Sequence, residues 1–488
     1  MKLTEEQTHA VSLVTNTSEN ICCNSLAGSA KTTTCKLMDH AGPEPILYIA
    51  FNKRIVEAAK EERDAAEEDE SILAFSDTTN LRTFNSIGHT SLQSVTENRL
   101  VVNPKKNSDL LRVVIDELPT RSKQQEAWDE YFEITSAVAL GKCMGYIPEG
   151  KFPRARRLCG YEELAARLDT QLSDFGAELL DEVFLRSIKA AESGSIDYDD
   201  QIYMPALFGG TFPRFPFVII DEAQDANACN HAMLQKFRGS RIASVGDDGQ
   251  SIYAFRGAVP GGMAKLRDTF GMVETNLTVS FRCPENIVKA VHWHRPQMKW
   301  HKPGGLVVRL HDARPDLFTP GSAIICRNNA PLFKLAMQLL ATGRSVNVHG
   351  SDIGPKIVAI MRKLGDDNLS QGSVLRAIDT WENEKLARQS STASDIADCM
   401  RVFARHGRTL YDAISWAESL FKQKGTVQLL TGHKSKGLEW DTVFFLDPGL
   451  IGQGEQENNL RYVIMTRAKQ ELYIIESKEI RWPNASPN

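Results

Sequence analysis

Short apolar runs that end abruptly in polar clusters set the pattern of this chain. Phe217-Val218-Ile219-Ile220 runs straight into Asp221-Glu222-Ala223-Gln224-Asp225. A strand that is apolar at every position suits a parallel sheet covered on both faces, and ligands of open α/β sheets sit beyond the carboxyl ends of such strands. Strands are also read in the residues before Cys23, at Ile46–Ala50, in the short run before Ser244, at Ser322–Cys326, at Val427–Thr431 and at Glu471–Glu476. The pattern predicts an α/β fold with parallel strands. Residues 366–421 read differently, as short helices around polar linkers such as Gln389-Ser390-Ser391-Thr392-Ala393-Ser394. Glu61–Glu70 reads as a charged helix face or loop.

Two of the polar clusters carry chemistry that belongs together. Cys23-Asn24-Ser25-Leu26-Ala27-Gly28-Ser29-Ala30-Lys31-Thr32-Thr33-Thr34 reads as a phosphate-binding loop that opens a helix. Small residues at Gly28, Ser29 and Ala30 let backbone N–H groups close around a polyphosphate, with Thr32 and Thr33 in the helix that follows. Lys31 supplies a point charge and the Thr32 hydroxyl is placed to ligate Mg²⁺. The usual pattern has glycine where this chain has Ser25 and Ala30. A left-handed Ala30 would cost about 1–2 kcal/mol, so the expected loop ends in a residue with helical dihedrals. At the end of the second strand, Asp221 can hold Mg²⁺ through its water shell, and Glu222 can orient or deprotonate an attacking water.

Length and composition narrow the setting. A chain of 488 residues is comfortable for two cores with insertions. Its net charge of −5 excludes a wholesale basic coat but leaves room for a locally positive channel. Nine scattered cysteines, with no C-x-x-C spacing, point to neither a zinc site nor a disulfide framework. The N-terminus has no apolar signal core and no stretch is long enough to span a bilayer, so a cytoplasmic protein without a membrane partner is expected.

Four further clusters complete an ordered set: Ser244–Ala258, Thr278–Pro284, Thr431–Asp441 and Asn459–Lys469. With Lys31 and Asp221–Asp225 they closely resemble the UvrD/Rep/PcrA-like branch of superfamily 1 DNA helicases, from Gln7 to Lys469. The resemblance implies two RecA-like P-loop NTPase cores with mainly helical insertions. The first core would comprise 1–88 and 190–275, interrupted by an insertion at 89–189 whose end is marked by Ser195–Asp200. The second would comprise 276–365 and 422–488, with a reduced insertion at 366–421.

The resemblance also assigns residues. Gln7 would read the adenine edge, for which a side-chain amide offers donor and acceptor. Gln250 would sense the γ-phosphate, while Arg282 and Arg467 would face the transferring phosphoryl group as an arginine finger does. Phe281 would stack on the base, although it reads equally as a core residue, and Glu439 would lie near the ribose or phosphates. Single-stranded DNA would be met by Phe51, Asn52 and Lys53, by Thr83, Phe84 and Asn85, by Tyr253 and Phe255, and by His433 and Lys434. Asn85 and Phe255 replace the family's usual His and Trp. Lys142, Lys151, Arg154, Arg156 and Arg157, interleaved with Tyr146 and Phe152, suit either a phosphate-tracking surface or a solvated basic helix. The implied activity is an ATP- and Mg²⁺-dependent DNA helicase or strand translocase, moving 3′ to 5′ on single-stranded or tailed duplex DNA. The alternative is a DNA-stimulated ATPase that serves a partner nuclease. A monomer or weak oligomer is expected.

Overall fold

Residues 3–69, 71–237, 239–313, 315–350 and 353–476 are described by the computed structural model. They form two units, one within 3–26 and 30–278, the other within 27–29 and 279–476.

In the first unit the strands are β1 (Ile21–Ser25), β2 (Ile46–Ala50), β3 (Asn80–Thr83), β4 (Phe217–Ile220), β5 (Arg241–Gly246) and β6 (Val273–Leu277), of which β3 and β6 are rich in polar residues. They pair in the order β3-β2-β4-β5-β1-β6, every pair parallel. Alternation along each strand feeds two separate cores. Leu47, Ile49, Val218 and Ile220 enter one, and Ile46, Tyr48, Phe217 and Ile219 enter the other. Both faces are therefore covered at β2 and β4, which is why these two strands carry no polar alternation.

Helices surround this sheet. Those that bear on function are α1 (Glu5–Asn16), α2 (Lys31–Ala41), α3 (Lys53–Glu68), α4 (Phe84–Gln93), α5 (Tyr131–Met144), α6 (Asp174–Glu192) and α7 (Asp200–Leu207). The acidic run forms a face of α3 as far as Glu68; Glu70 lies outside the described residues.

The expected basic surface needs correction at Lys142, while Lys151, Arg154, Arg156 and Arg157 are exposed. Lys142 is fully buried on α5 and donates to Asp197 and Asp200, each at 2.6 Å. Lys106 also pairs with Asp200. Local basic density concealed carboxylate partners more than 50 residues away, and a buried cation needs such partners to offset lost hydration. Tyr146 is buried too, and Phe152 packs on Phe208 with ring centroids 5.5 Å apart.

The second unit repeats the architecture with β7 (Leu306–Leu310), β8 (Ala323–Cys326), β9 (Val346–Val348), β10 (Val427–Thr431), β11 (Trp440–Leu446) and β12 (Ala468–Ile475). Their order is β7-β12-β11-β8-β10-β9, again all parallel. The unit also contains α8 (Glu285–Val291), α9 (Gln371–Ala387), α10 (Ala393–His406), α11 (Leu410–Leu420) and α12 (Glu455–Met465). Val374, Phe403 and Leu410, from α9, α10 and α11, share one core with Ile324 and Leu429 of the sheet.

Candidate nucleotide site and strand groove

The loop after β1 turns into α2 through Ala30, whose φ of 60° and ψ of 44° are left-handed. This corrects the expectation of helical dihedrals. Alanine occupies the position where the usual pattern has glycine, and the fold imposes the turn despite a cost of about 1–2 kcal/mol. No side chain caps the start of α2, so its first N–H groups remain available to an anion. Gly28 is also left-handed, and the buried Ser29 hydroxyl has no hydrogen-bond partner among the described residues. An orphaned hydroxyl beside an uncapped helix start fits a bound polyphosphate. Thr32 stands exposed in the first turn of α2.

Lys31 reaches from α2 to Glu222 at the end of β4, its Nζ 2.8 Å from Oε1 and 2.9 Å from Oε2. Burial alone would depress the ammonium pKa, but Glu222 and Asp221 outweigh it and hold the group above its ordinary value. Asp221 is buried, and burial together with Glu222 pushes its carboxyl upward. Its two oxygens accept from Tyr48 Oη at 2.7 Å and from the Glu222 N–H at 2.8 Å. A divalent cation would reverse that shift. Asp221 offers a carboxylate and Thr32 an exposed hydroxyl, ligand types that suit Mg²⁺ when phosphate and water oxygens complete the shell. Among the described residues no group of three or more His, Cys, Asp or Glu could hold a metal alone.

Glu222 itself is left-handed, with φ 52°. Its Oε2 accepts from Gln224 Nε2 at 2.6 Å, and Gln224 Oε1 accepts from the Asp247 N–H at 3.0 Å. Asp247 then accepts from Gln250 Nε2 at 2.8 Å and from the Gly249 N–H at 2.9 Å. A continuous polar chain thus joins Lys31, Glu222, Gln224, Asp247 and Gln250. Gln224 and Asp247 lie inside the sequence motifs but carry no expected part there; a polar residue close to a catalytic candidate was the only signal. Gln7 is buried, where its amide closes a capping box with Thr4 and donates to Thr34 Oγ1 at 3.3 Å.

Five residues beyond Gln250, Phe255 is 57% exposed. Tyr253 lies edge-on to it at 6.0 Å, and the Arg256 guanidinium sits 5.4 Å and 5.6 Å from the two ring centroids. A second feature of the same unit is an open groove of about 780 Å³ lined by Phe51, Lys53, Thr83, Asn85 and Tyr198, among others. Two neighbouring candidates have local roles instead. Asn52 caps α3 by accepting from the Ile55 N–H at 3.0 Å, and Phe84 is 2% exposed, packed 5.0 Å from Phe51. Phe84 therefore seats Phe51 and offers no ring to the groove. Tyr198 is an exposed aromatic to which no motif assigns a part, and its carbonyl accepts from Asn85 Nδ2 at 2.7 Å.

The remaining candidates lie in the second unit. Arg282 donates to Glu439 at 2.6 Å, so these two are brought together. Arg467 is 1% exposed, with Nε donating to the Val463 carbonyl at 2.9 Å and Nη1 to that of Leu438 at 3.3 Å. Its guanidinium is buried here. Phe281 is half-buried with the His301 ring 4.8 Å away. Lys434 donates to the His349 carbonyl at 2.7 Å, in the same short turn as His433.

Residues 3–271 match the family model of the UvrD/REP helicase N-terminal domain, and residues 426–475 match that of the UvrD-like helicase C-terminal domain. The chain belongs to the UvrD/Rep helicase family. Among its relatives, F-box DNA helicase protein 1 of Schizosaccharomyces pombe is 26% identical over 317 residues, which are 55% of this chain and 34% of that protein. ATP-dependent DNA helicase Rep of Escherichia coli is 31% identical over 108 residues, 20% of this chain and 16% of the relative. An ATP-dependent helicase/nuclease subunit of Alkaliphilus metalliredigens is 29% identical over 119 residues, 22% of this chain and 10% of the relative. Each match to this UvrD/Rep member thus spans about a third or less of the relative's length.

Proposed function

We propose that this chain hydrolyses ATP with Mg²⁺ in response to single-stranded DNA and moves along the strand 3′ to 5′, opening tailed duplex. The observation that carries the reading is the polar chain from Lys31 to Gln250 in a member of the UvrD/Rep family. Gly28, Ser29, Ala30, Lys31, Thr32 and Thr33 would hold the phosphates, Thr32 and Asp221 the Mg²⁺, and Gln7, Phe281 and Glu439 the nucleoside. Bound ATP supplies the phosphoanhydride whose hydrolysis drives the cycle.

In this reading Lys31 exchanges its pairing with Glu222 for phosphate oxygens. The freed carboxylate accepts a proton from water while Gln224 keeps it oriented. Gln250 leaves Asp247 to meet the terminal phosphate, and that shift passes to Tyr253 and Phe255 in the same segment. Arg282 and Arg467 stabilise charge that develops during transfer, which requires Arg467 to give up carbonyl contacts it makes here. Phe51, Lys53, Thr83 and Asn85 would line the strand's path in the first unit, and His433 and Lys434 would add contacts from the second.

Purified protein given ATP and duplexes with either a 3′ or a 5′ tail tests the reading. Opening of the 3′-tailed substrate is expected, and preferential use of the 5′ tail would overturn the direction. Strand-stimulated hydrolysis without opening of either substrate would favour a second reading, an ATPase that works with a nuclease. The name of the Alkaliphilus relative supports that alternative.

A further inference from the structure

Just beyond Phe281, residues 285–302 carry Lys289, Arg295, Lys299 and Lys302 against a single carboxylate, Glu285, in a chain whose net charge is −5. Two of the seven tryptophans, Trp293 and Trp300, also fall here. We propose that this segment is a second single-strand contact, in which Trp293 and Trp300 stack bases and the neighbouring lysines track phosphates.

The geometry is that of a built platform. α8 buries Ile287, Val288 and Val291 against its own unit, which leaves Lys289 on the opposite side, one turn before Trp293. Lys289 Nζ lies 5.3 Å from the Trp300 ring centroid while also pairing with Glu285 at 2.7 Å. The Trp300 backbone is pinned by a short parallel pairing of Lys299–Trp300 with Val279–Ser280. Arg461 of α12 sits 5.8 Å from the Trp293 centroid. Trp293 is 49% and Trp300 37% exposed, and Lys299 and Lys302 are exposed beside them.

The part of each indole that stays in water is apolar surface available for burial by a ligand. Rings fixed in place and each partnered by a cation lose little freedom when a base arrives. Bases offer π faces to such rings whatever the sequence, and the phosphates between them meet the lysines. Single-stranded nucleic acid offers both partners this surface needs, a base for each ring and a phosphate for each lysine. The inference rests on the strand-binding reading above and adds a surface that none of the assigned motifs includes.

The test measures affinity for oligo(dT) of increasing length, by anisotropy of a labelled strand. It compares the parent with a Trp293→Ala/Trp300→Ala double variant and a Lys299→Glu/Lys302→Glu double variant. These side chains are exposed, so unchanged melting temperatures should show both variants folded. Short oligomers that fill only the first unit's groove should bind the parent and both variants alike. Longer oligomers should bind the tryptophan variant at least about tenfold more weakly. In the lysine variant, the slope of log affinity against log salt should flatten by about 1.4, roughly 0.7 for each lost phosphate contact.

Parental affinity at every length in the tryptophan variant would overturn the proposal while leaving the strand reading standing. So would equal losses at all lengths, or loss of self-association with strand affinity retained, since a second copy would then be the occupant. A parent that binds no oligomer would overturn both.

Discussion

Lys31 and Glu222 hold each other through both carboxylate oxygens, so each substitution at this pair exposes a different part of the chemistry. Lys31→Ala removes a phosphate-facing charge and should abolish ATP turnover in a folded protein; parental hydrolysis would refute the phosphate-loop assignment. Glu222→Gln keeps the shape and loses the base, so nucleotide binding should persist while hydrolysis falls by orders of magnitude. Arg282 and Arg467 should now differ. Arg282→Ala, whose partner Glu439 is exposed, should depress strand-stimulated hydrolysis with little loss of stability. Arg467→Ala should in addition destabilise the second unit by about 1–3 kcal/mol, because it removes a buried side chain together with its hydrogen bonds to the Val463 and Leu438 carbonyls; equal melting curves for the two variants would contradict this. The identities of Lys31, Asp221, Glu222 and Gln250 were legible in the sequence because their motifs are local. The burial of Arg467 and Lys142 was not, since it depends on partners distant in sequence or on backbone carbonyls that no pattern displays.

At the scale of elements, the short turn Ala254–Gly257 links the polar chain to an exposed ring. Gly257 is left-handed with φ 82°, and a Cβ there would stand 2.9 Å from Cys143 Cβ on α5. Gly257→Ala should therefore displace the turn and lower strand-stimulated hydrolysis more than hydrolysis without DNA; a proportionate loss of both would mean that the turn plays no part in coupling. Phe255→Ala should weaken strand binding by about 1–3 kcal/mol. Its exposure makes the fall in stability of about 3–5 kcal/mol expected for a core phenylalanine the wrong outcome, and a melting curve distinguishes the two. The strands at Ile46–Ala50 and Phe217–Ile220 were readable because continuous apolar runs have few other uses. The left-handed turn at Ala30 was not, because a local propensity argues against it and only the tertiary path imposes it.

For the whole molecule, acid should act through a buried imidazole. His231 is buried with Nε2 lacking a hydrogen-bond partner among the described residues, and burial together with Lys265 lowers its pKa from 6.5 to about 4. Below pH 6.5 the unfolded chain takes up a proton that the folded one refuses, so stability should fall by about 3 kcal/mol as pH drops toward 4. A His231→Gln variant should lose that part of the acid sensitivity, and denaturation midpoints measured between those pH values check it. Two parallel six-stranded sheets and a match to the UvrD/Rep model over residues 3–271 establish what kind of molecule this is. The central claim, that strand binding and ATP turnover are coupled, is tested most directly by the rate of ATP hydrolysis with and without single-stranded DNA. The account predicts a rate that rises with the strand in the parent and stays near zero under both conditions in Glu222→Gln. A parent rate indifferent to DNA, or parental turnover in Glu222→Gln, would contradict it.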